Sequence, residues 1–202
     1  MIRTIFSALA SLMLIASPAV AAPEVGKPAP DFMLKDVSGK DVKLSDYKGK
    51  YVVLEWHNPE CPFVIKHYGS NNMQRLQAST KEIQAVWLTI NSSAAGKQGH
   101  MNGNQASEYL KKSKALPNHY LFDADGTVGR LYEAKTTPHM FVINKDGNIA
   151  YMGAIDDKPS ADKADVATAT NYVNDALTAL HAGKPVAKSS TQPYGCNVKY
   201  AD

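Results

Sequence analysis

Apolar positions along this chain follow two spacings. YVVLEW (residues 51–56) and IQAVWLTIN (83–91) are dense, β-branched and aromatic runs of the length of buried strands. DFMLKDVSGKDVKL (31–44) alternates instead. Phe32 and Leu34 lead into a Ser38-Gly39 turn, and Val42 and Leu44 alternate on the return, which predicts a hairpin. PHMFVINKDGNIAYMGAI (138–155) is a second hairpin, two apolar runs around Lys145-Asp146-Gly147. Between these lie segments of helical spacing. PFVIKHYGSNNMQRLQAS (62–79) opens on Pro62, which suits a first helical position because its missing N–H costs nothing there, and Gly69 weakens its middle. QASEYLKKSKAL (105–116) predicts a shorter amphipathic helix, and NHYLFDADGTVGRLYEA (118–134) a strand, an Asp-Gly turn and a short helical turn. A final helix over 161–183 is stopped by Gly183 and Pro185. Strands alternating with helices, then a terminal hairpin and helix, predict an α/β fold with a mixed central sheet flanked by helices and an N-terminal β-hairpin.

The first 21 residues have another character. Arg3, an apolar run from Ile5 to Ile15 and the small series Ala19-Val20-Ala21 form the pattern of a secretory signal peptide, with cleavage expected between Ala21 and Ala22. The run is shorter than the roughly 20 residues a membrane helix needs. The expected organisation is a signal peptide over 1–21, one folded domain over 22–185 and a C-terminal tail over 186–202. The expected location is the bacterial periplasm. A formal charge of only +3, without a Lys/Arg cluster, argues against nucleic acid and against a membrane surface as partner once the signal is removed.

Cysteine usage sharpens the picture. An exported chain with two cysteines lives where disulfides persist, and only one intrachain pairing exists, Cys61 with Cys196. Cys61 stands where a strand hands over to a helix, immediately before Pro62. There the free backbone N–H groups and the positive end of the helix dipole favour the thiolate over the thiol. Glu60 opposes this if its carboxylate faces the sulfur, whereas His57 and His67 assist if protonated. The expectation is an ionised and accessible sulfur.

The strand order, with a cysteine at that address, resembles the thioredoxin fold and, within it, the redoxin branch. These are the peroxiredoxin-like proteins labelled after alkyl hydroperoxide reductase and thiol-specific antioxidant (AhpC/TSA). The stretches that carry the resemblance are VGKPAPDFMLKDVSGKDVKLSDYKGKYVVLEW, NPECPFV, LFDADGTVGRLYEAKTTPHMFVINKDG and YMGAIDD, with a QPYGCNVKY tail similar to that of a subgroup of thioredoxin-family redoxins. The resemblance implies a thiol-dependent oxidoreductase that uses no cofactor and reduces peroxides or disulfides through Cys61. Cys196 would resolve the intermediate, and a thiol protein or small thiol would return the electrons. It also implies that Thr137-Pro138 is a cis-proline site opposite the active cysteine, able to pair with a substrate strand, and that Asn58 and Pro62 flank the substrate. Peroxiredoxins proper carry Thr or Ser at the position of Asn58, Pro at that of Leu54, and an arginine before the strand equivalent to MFVIN, where this chain has Thr137-Pro138-His139.

Other readings stay open at this stage. A static Cys61–Cys196 bridge would close a long loop and stabilise the fold by about 5 kcal/mol in the chain-entropy model, leaving a non-catalytic binding module. His57, Cys61, His67 and His139 invite copper or zinc, but CPFVI lacks the paired cysteine of a copper chaperone, and no metal site is expected. Asp156-Asp157 read as turn or capping residues, because neighbours on a strand point to opposite faces. Trp56 and Trp87 read as core.

Overall fold

A computed structural model describes residues 22–202, so the expected signal peptide over 1–21 lies outside the described residues. The dense apolar runs form the middle of a seven-stranded sheet. Strand β3 (Val52–Trp56) lies parallel to β4 (Val86–Asn91), which lies parallel to β5 (His119–Phe122). The N-terminal hairpin, β1 (Met33–Asp36) and β2 (Asp41–Lys43), adds to β5 antiparallel. On the other side of β3 comes the late hairpin, β7 (His139–Ile143) and β8 (Ile149–Gly153), giving the order β2-β1-β5-β4-β3-β7-β8. A two-residue strand β6 (Thr136–Thr137) precedes β7 and belongs to a separate small ladder.

Alternation along the buried strands divides the core between the two faces of the sheet. Leu54, Trp56, Leu88, Ile90, Leu121 and Phe141 pack on one face with Phe32 and Tyr132. Val53, Trp87, Met140, Val142 and Tyr151 pack on the other, against three helices that supply Val64, Met73, Leu76, Val173 and Leu177. Both tryptophans are fully buried, as expected of core residues.

The helices depart from the sequence reading in physically traceable ways. The single helix expected over 62–79 is two, α1 (Pro62–Gly69) and α2 (Asn72–Glu82), because Asn71 takes a left-handed conformation (φ 59°) after Gly69 and turns the chain. Helix α3 (Gly103–Ser113) starts two residues early: Asn102 and Gln105 form a reciprocal capping box at 3.0 and 2.9 Å. A short α4 (Thr127–Leu131) follows β5. The last helix shrinks to α5 (Tyr172–His181), where the Asn171 side chain accepts from Asn174 N–H at 2.9 Å, and Lys163–Ala167 upstream is only a 3-10 turn.

After α5 the chain runs back across the molecule. Ser189 O accepts from Met152 N–H and Thr191 N–H donates to Met152 O, both at 3.1 Å, so this stretch lies along the outer side of β8. The chain ends in strand β9 (Cys196–Asn197), paired antiparallel with β6, an element that the hydrophobic pattern did not suggest.

One buried strand position breaks the apolar rule. Glu55, in the centre of β3, is fully buried. Its carboxylate accepts from Tyr68 Oη at 2.9 and 3.0 Å, Trp87 Nε1 at 2.8 Å and Thr89 Oγ1 at 2.9 Å. Burial raises its pKa from 4.5 to about 7 against the lowering effect of those donors. The folded state therefore keeps the Glu55 proton to higher pH than the unfolded chain does, and native stability falls as pH rises from about 4.5 to 7. We expect the difference in unfolding free energy, wild type minus Glu55→Gln, to decline by about 3 kcal/mol across that window. Urea unfolding of both proteins at its two ends checks this; an offset independent of pH refutes it.

Candidate active site

Cys61 is the N-cap of α1, in extended backbone conformation (φ −74°, ψ 124°), with Pro62 at the first helical position. Its N–H donates to Asn58 O at 3.1 Å and its carbonyl accepts the first helical bond, from Ile65 N–H at 2.9 Å. Sequence thus places the sulfur at the positive end of a helix. The tertiary structure determines what surrounds it.

The Thr137-Pro138 peptide bond is cis, and the Thr137 carbonyl lies 3.0 Å from Cys61 Sγ, within reach of the protonated thiol. On the other side of Thr137 lies the tail. Thr137 pairs with Cys196 across the β6–β9 ladder, and the two sulfurs stand 2.8 Å apart. Both are free thiols, and their separation exceeds the roughly 2.05 Å of a covalent bridge. Gly195 makes this approach possible. It has φ +137°, and a Cβ there would fall 2.1 Å from the Thr137 carbonyl oxygen.

The two sulfurs differ in proton affinity. Burial opposes ionisation of Cys61, but hydrogen bonds from the Cys196 thiol, from Thr137 and from the Val64 and Cys196 backbone outweigh it and hold its pKa below the ordinary cysteine value. Burial pushes Cys196 up to about 11, reinforced by the hydrogen bond it donates to Cys61 and by the charge of that neighbour. Cys61 is therefore the more acidic of the two sulfurs and the first to give up a proton.

Several expectations about the surroundings need correction. The accessible sulfur is not found: Cys61 is fully buried, packed among Val64 and Met140, and Cys196 at its side is half-buried. The tail covers the sulfur. His57 and His67 do not assist as cations. His57 bonds Tyr120 Oη at 3.0 Å and Tyr109 Oη at 2.9 Å, and burial lowers its pKa to about 3. His67 bonds Asn72 and Tyr194, and burial lowers it to about 4. His139, also lowered to about 4 by burial, pairs with Trp56 inside the sheet. The histidines do not converge with Cys61: among the described residues no three His, Cys, Asp or Glu side chains form a group able to hold a metal. Glu60 turns away from the sulfur and accepts from Gly99 N–H at 3.0 Å. Asn58 is buried with its side chain on Glu60 N–H (2.9 Å) and Gln98 O (3.3 Å), while Pro62 is exposed beside the covered sulfur. Arg75 and Arg130 spend their guanidinium groups on the carbonyls of Ser70, Asp125 and Ala201, so no arginine among the described residues reaches Cys61.

A second buried cluster was missed in the sequence. Lys66, one turn into α1, is fully buried; its Nζ donates to Lys158 O at 2.7 Å and stands 3.7 Å from Asp156 Oδ2. Asp156 Oδ1 accepts from Lys158 N–H at 3.0 Å, the turn role expected of it, and also from Tyr194 Oη in the tail. The sequence carried no local signal of it, since Lys66 lies off the Val64–Tyr68 stripe and meets Asp156 only in the folded chain.

The AhpC/TSA family model matches residues 25–152. Thiol-disulfide oxidoreductase ResA of Bacillus subtilis (strain 168) is 29% identical over 124 residues, 61% of this chain and 64% of ResA, so the match spans just under two thirds of that relative. Peroxiredoxin Bcp of the same organism is 59% identical over 134 residues, 64% of this chain and 73% of Bcp. The crystal structure of an uncharacterized conserved protein from Geobacillus kaustophilus superposes with a TM-score of 0.75 at 25% identity, covering 88% of this chain and 93% of that one. With the family model covering the sheet, Cys61 and the cis-proline site, the chain belongs to the AhpC/TSA family.

Proposed function

We propose that the protein is an exported thiol–disulfide oxidoreductase that cycles between a Cys61/Cys196 dithiol and a Cys61–Cys196 disulfide. The observation that carries this reading is the pair of free sulfurs 2.8 Å apart with opposite proton preferences. The Cys61 thiolate attacks a disulfide, forming a mixed disulfide and releasing one thiolate. Cys196 then loses its proton and attacks Cys61 Sγ, the intrachain bridge forms, and the second thiolate leaves. With a peroxide, Cys61 takes one oxygen as sulfenic acid, the alcohol or water leaves, and Cys196 closes the bridge with loss of water. A thiol reductant, protein or small molecule, restores the pair. It attacks Cys196, the more exposed sulfur, and Cys61 departs as the better leaving group because it is the stronger acid; a second reductant thiol then attacks the reductant sulfur of that mixed disulfide, releasing Cys196 and the oxidised reductant.

Disulfides suit the site better than peroxides, because the sulfur has neither the arginine nor the Thr/Ser hydroxyl that peroxiredoxins proper place there. ResA and Bcp, by their names, represent the two chemistries. Export is supported by the signal pattern over residues 1–21. Residues 186–202 act as a working tail on the domain spanning 22–185.

Cys61→Ser should lose at least 100-fold in disulfide reductase turnover. Cys196→Ala should accumulate a persistent adduct on Cys61 when given oxidised glutathione. Mass spectrometry and turnover assays check both, and an unmodified Cys61 in the second variant defeats the mechanism. Thiolate absorbance gives an independent test. The reduced pair should release its first proton below the roughly 8.5 of a free cysteine and its second near 11. In Cys196→Ala the first step should rise, because the donor to the thiolate is gone; an unchanged midpoint would show that Cys196 does not tune Cys61.

A further inference from the structure

The two cysteine-bearing segments lean on one buried carboxylate. Lys66 reaches Asp156 from α1, the helix capped by Cys61, and Tyr194 reaches it from the tail two residues before Cys196. The hydrogen-bond chain is directional. Asn72 Nδ2 donates to His67 Nδ1 at 3.0 Å, which leaves Nε2 to carry the ring proton and donate to Tyr194 Oη at 3.3 Å; Tyr194 Oη in turn donates to Asp156. The Tyr194 ring also packs edge-on against Phe63 in the first turn of α1, with centroids 5.7 Å apart. Asp156 is buried and its Oδ2 has no hydrogen-bond partner. If the tail lifted, Oδ1 would keep only the Lys158 N–H and the buried carboxylate would lose its one hydroxyl donor, a loss that draws the tail back to the same place. Asp156, Tyr194 and Cys196 all lie beyond residue 152, where the match to the family model ends.

We propose that Tyr194 and Asp156 are positioning residues for the resolving step, a latch that sets how often Cys196 stands within bonding distance of Cys61. Neither touches the reacting sulfurs; they raise the effective concentration of one thiol at the other. The step they govern is attack of the deprotonated Cys196 on Cys61 Sγ of a mixed disulfide, which forms the Cys61–Cys196 bond and breaks the bond to the substrate sulfur, released as thiolate. This role rests on the exchange mechanism proposed for Cys61 and Cys196.

The test uses the full mature chain and its Tyr194→Phe variant, which keeps the ring contact with Phe63 and removes only the hydroxyl. Equilibration in glutathione redox buffers should show the constant for intrachain disulfide formation reduced at least tenfold, equivalent to a potential about 30 mV less reducing. Rapid mixing with oxidised glutathione should show the Cys61 adduct forming at the wild-type rate or faster but closing to the intrachain bridge at least tenfold more slowly. A merely structural tyrosine would not separate those two steps. Asp156→Asn combined with Tyr194→Phe should close no more slowly than the single tyrosine variant, since both remove one interaction. Wild-type closure and equilibrium in Tyr194→Phe overturn the latch and leave the exchange mechanism standing. Failure of the wild-type chain itself to form the Cys61–Cys196 bridge in these buffers overturns both.

Discussion

A backbone pairing two residues long governs the chemistry of this molecule. Thr137 and Cys196 face each other across β6 and β9, and that register alone brings the tail sulfur to the cap of α1. A helix N-terminus weakly favours a thiolate, and burial disfavours it; the donors that reverse the balance come from Thr137 and Cys196 as well as from α1. The acidity of Cys61 is thus a tertiary property, assembled from segments 76 and 135 positions away in sequence.

The tail is what buries the Cys61 sulfur. It lies on the edge of β6 beside the cis Thr137-Pro138 bond, and it brings its own cysteine there. It is held on both sides of that cysteine. Tyr194 binds Asp156 upstream; downstream, Val198 N–H donates to Lys135 O, and Tyr200 Oη donates to Ala134 O beneath the Arg130 guanidinium. These anchors hold the tail on both sides of the two sulfurs.

How much of this could be read from the sequence depended on range. The strands around Leu54, Leu88 and Phe141 were legible because both faces of a central sheet demand unbroken apolar runs, and the hairpin turns at Gly39 and Gly147 because positive φ selects glycine. Cys61 at a helix start was legible for the same local reason. The break between α1 and α2 was only hinted at by Gly69, since the residue that executes it is Asn71. Glu55 was hidden inside an apolar run, and its three donors, Tyr68, Trp87 and Thr89, come from two other elements, α1 and β4. Lys66 and Asp156 are 90 positions apart and meet only through the fold, so Asp156 looked like an ordinary turn residue. The two-residue β9 is too short to carry any periodicity. Its partner is chosen by Gly195, whose missing side chain lets the tail lie against Thr137.

The stretch Ser189–Thr191 has a consequence unrelated to catalysis. It runs beside β8, the last strand of the sheet on that side, and occupies backbone groups of Met152 that would otherwise face solvent. At the opposite border β2 is three residues long and carries Asp41 and Lys43. Each rim of the sheet is thus blunted, one by brevity and charge and the other by the chain's own ending. Trimming the polypeptide after α5 would bare an apolar ribbon to its neighbours, so the segment that carries the second sulfur also keeps the molecules from stacking edge to edge.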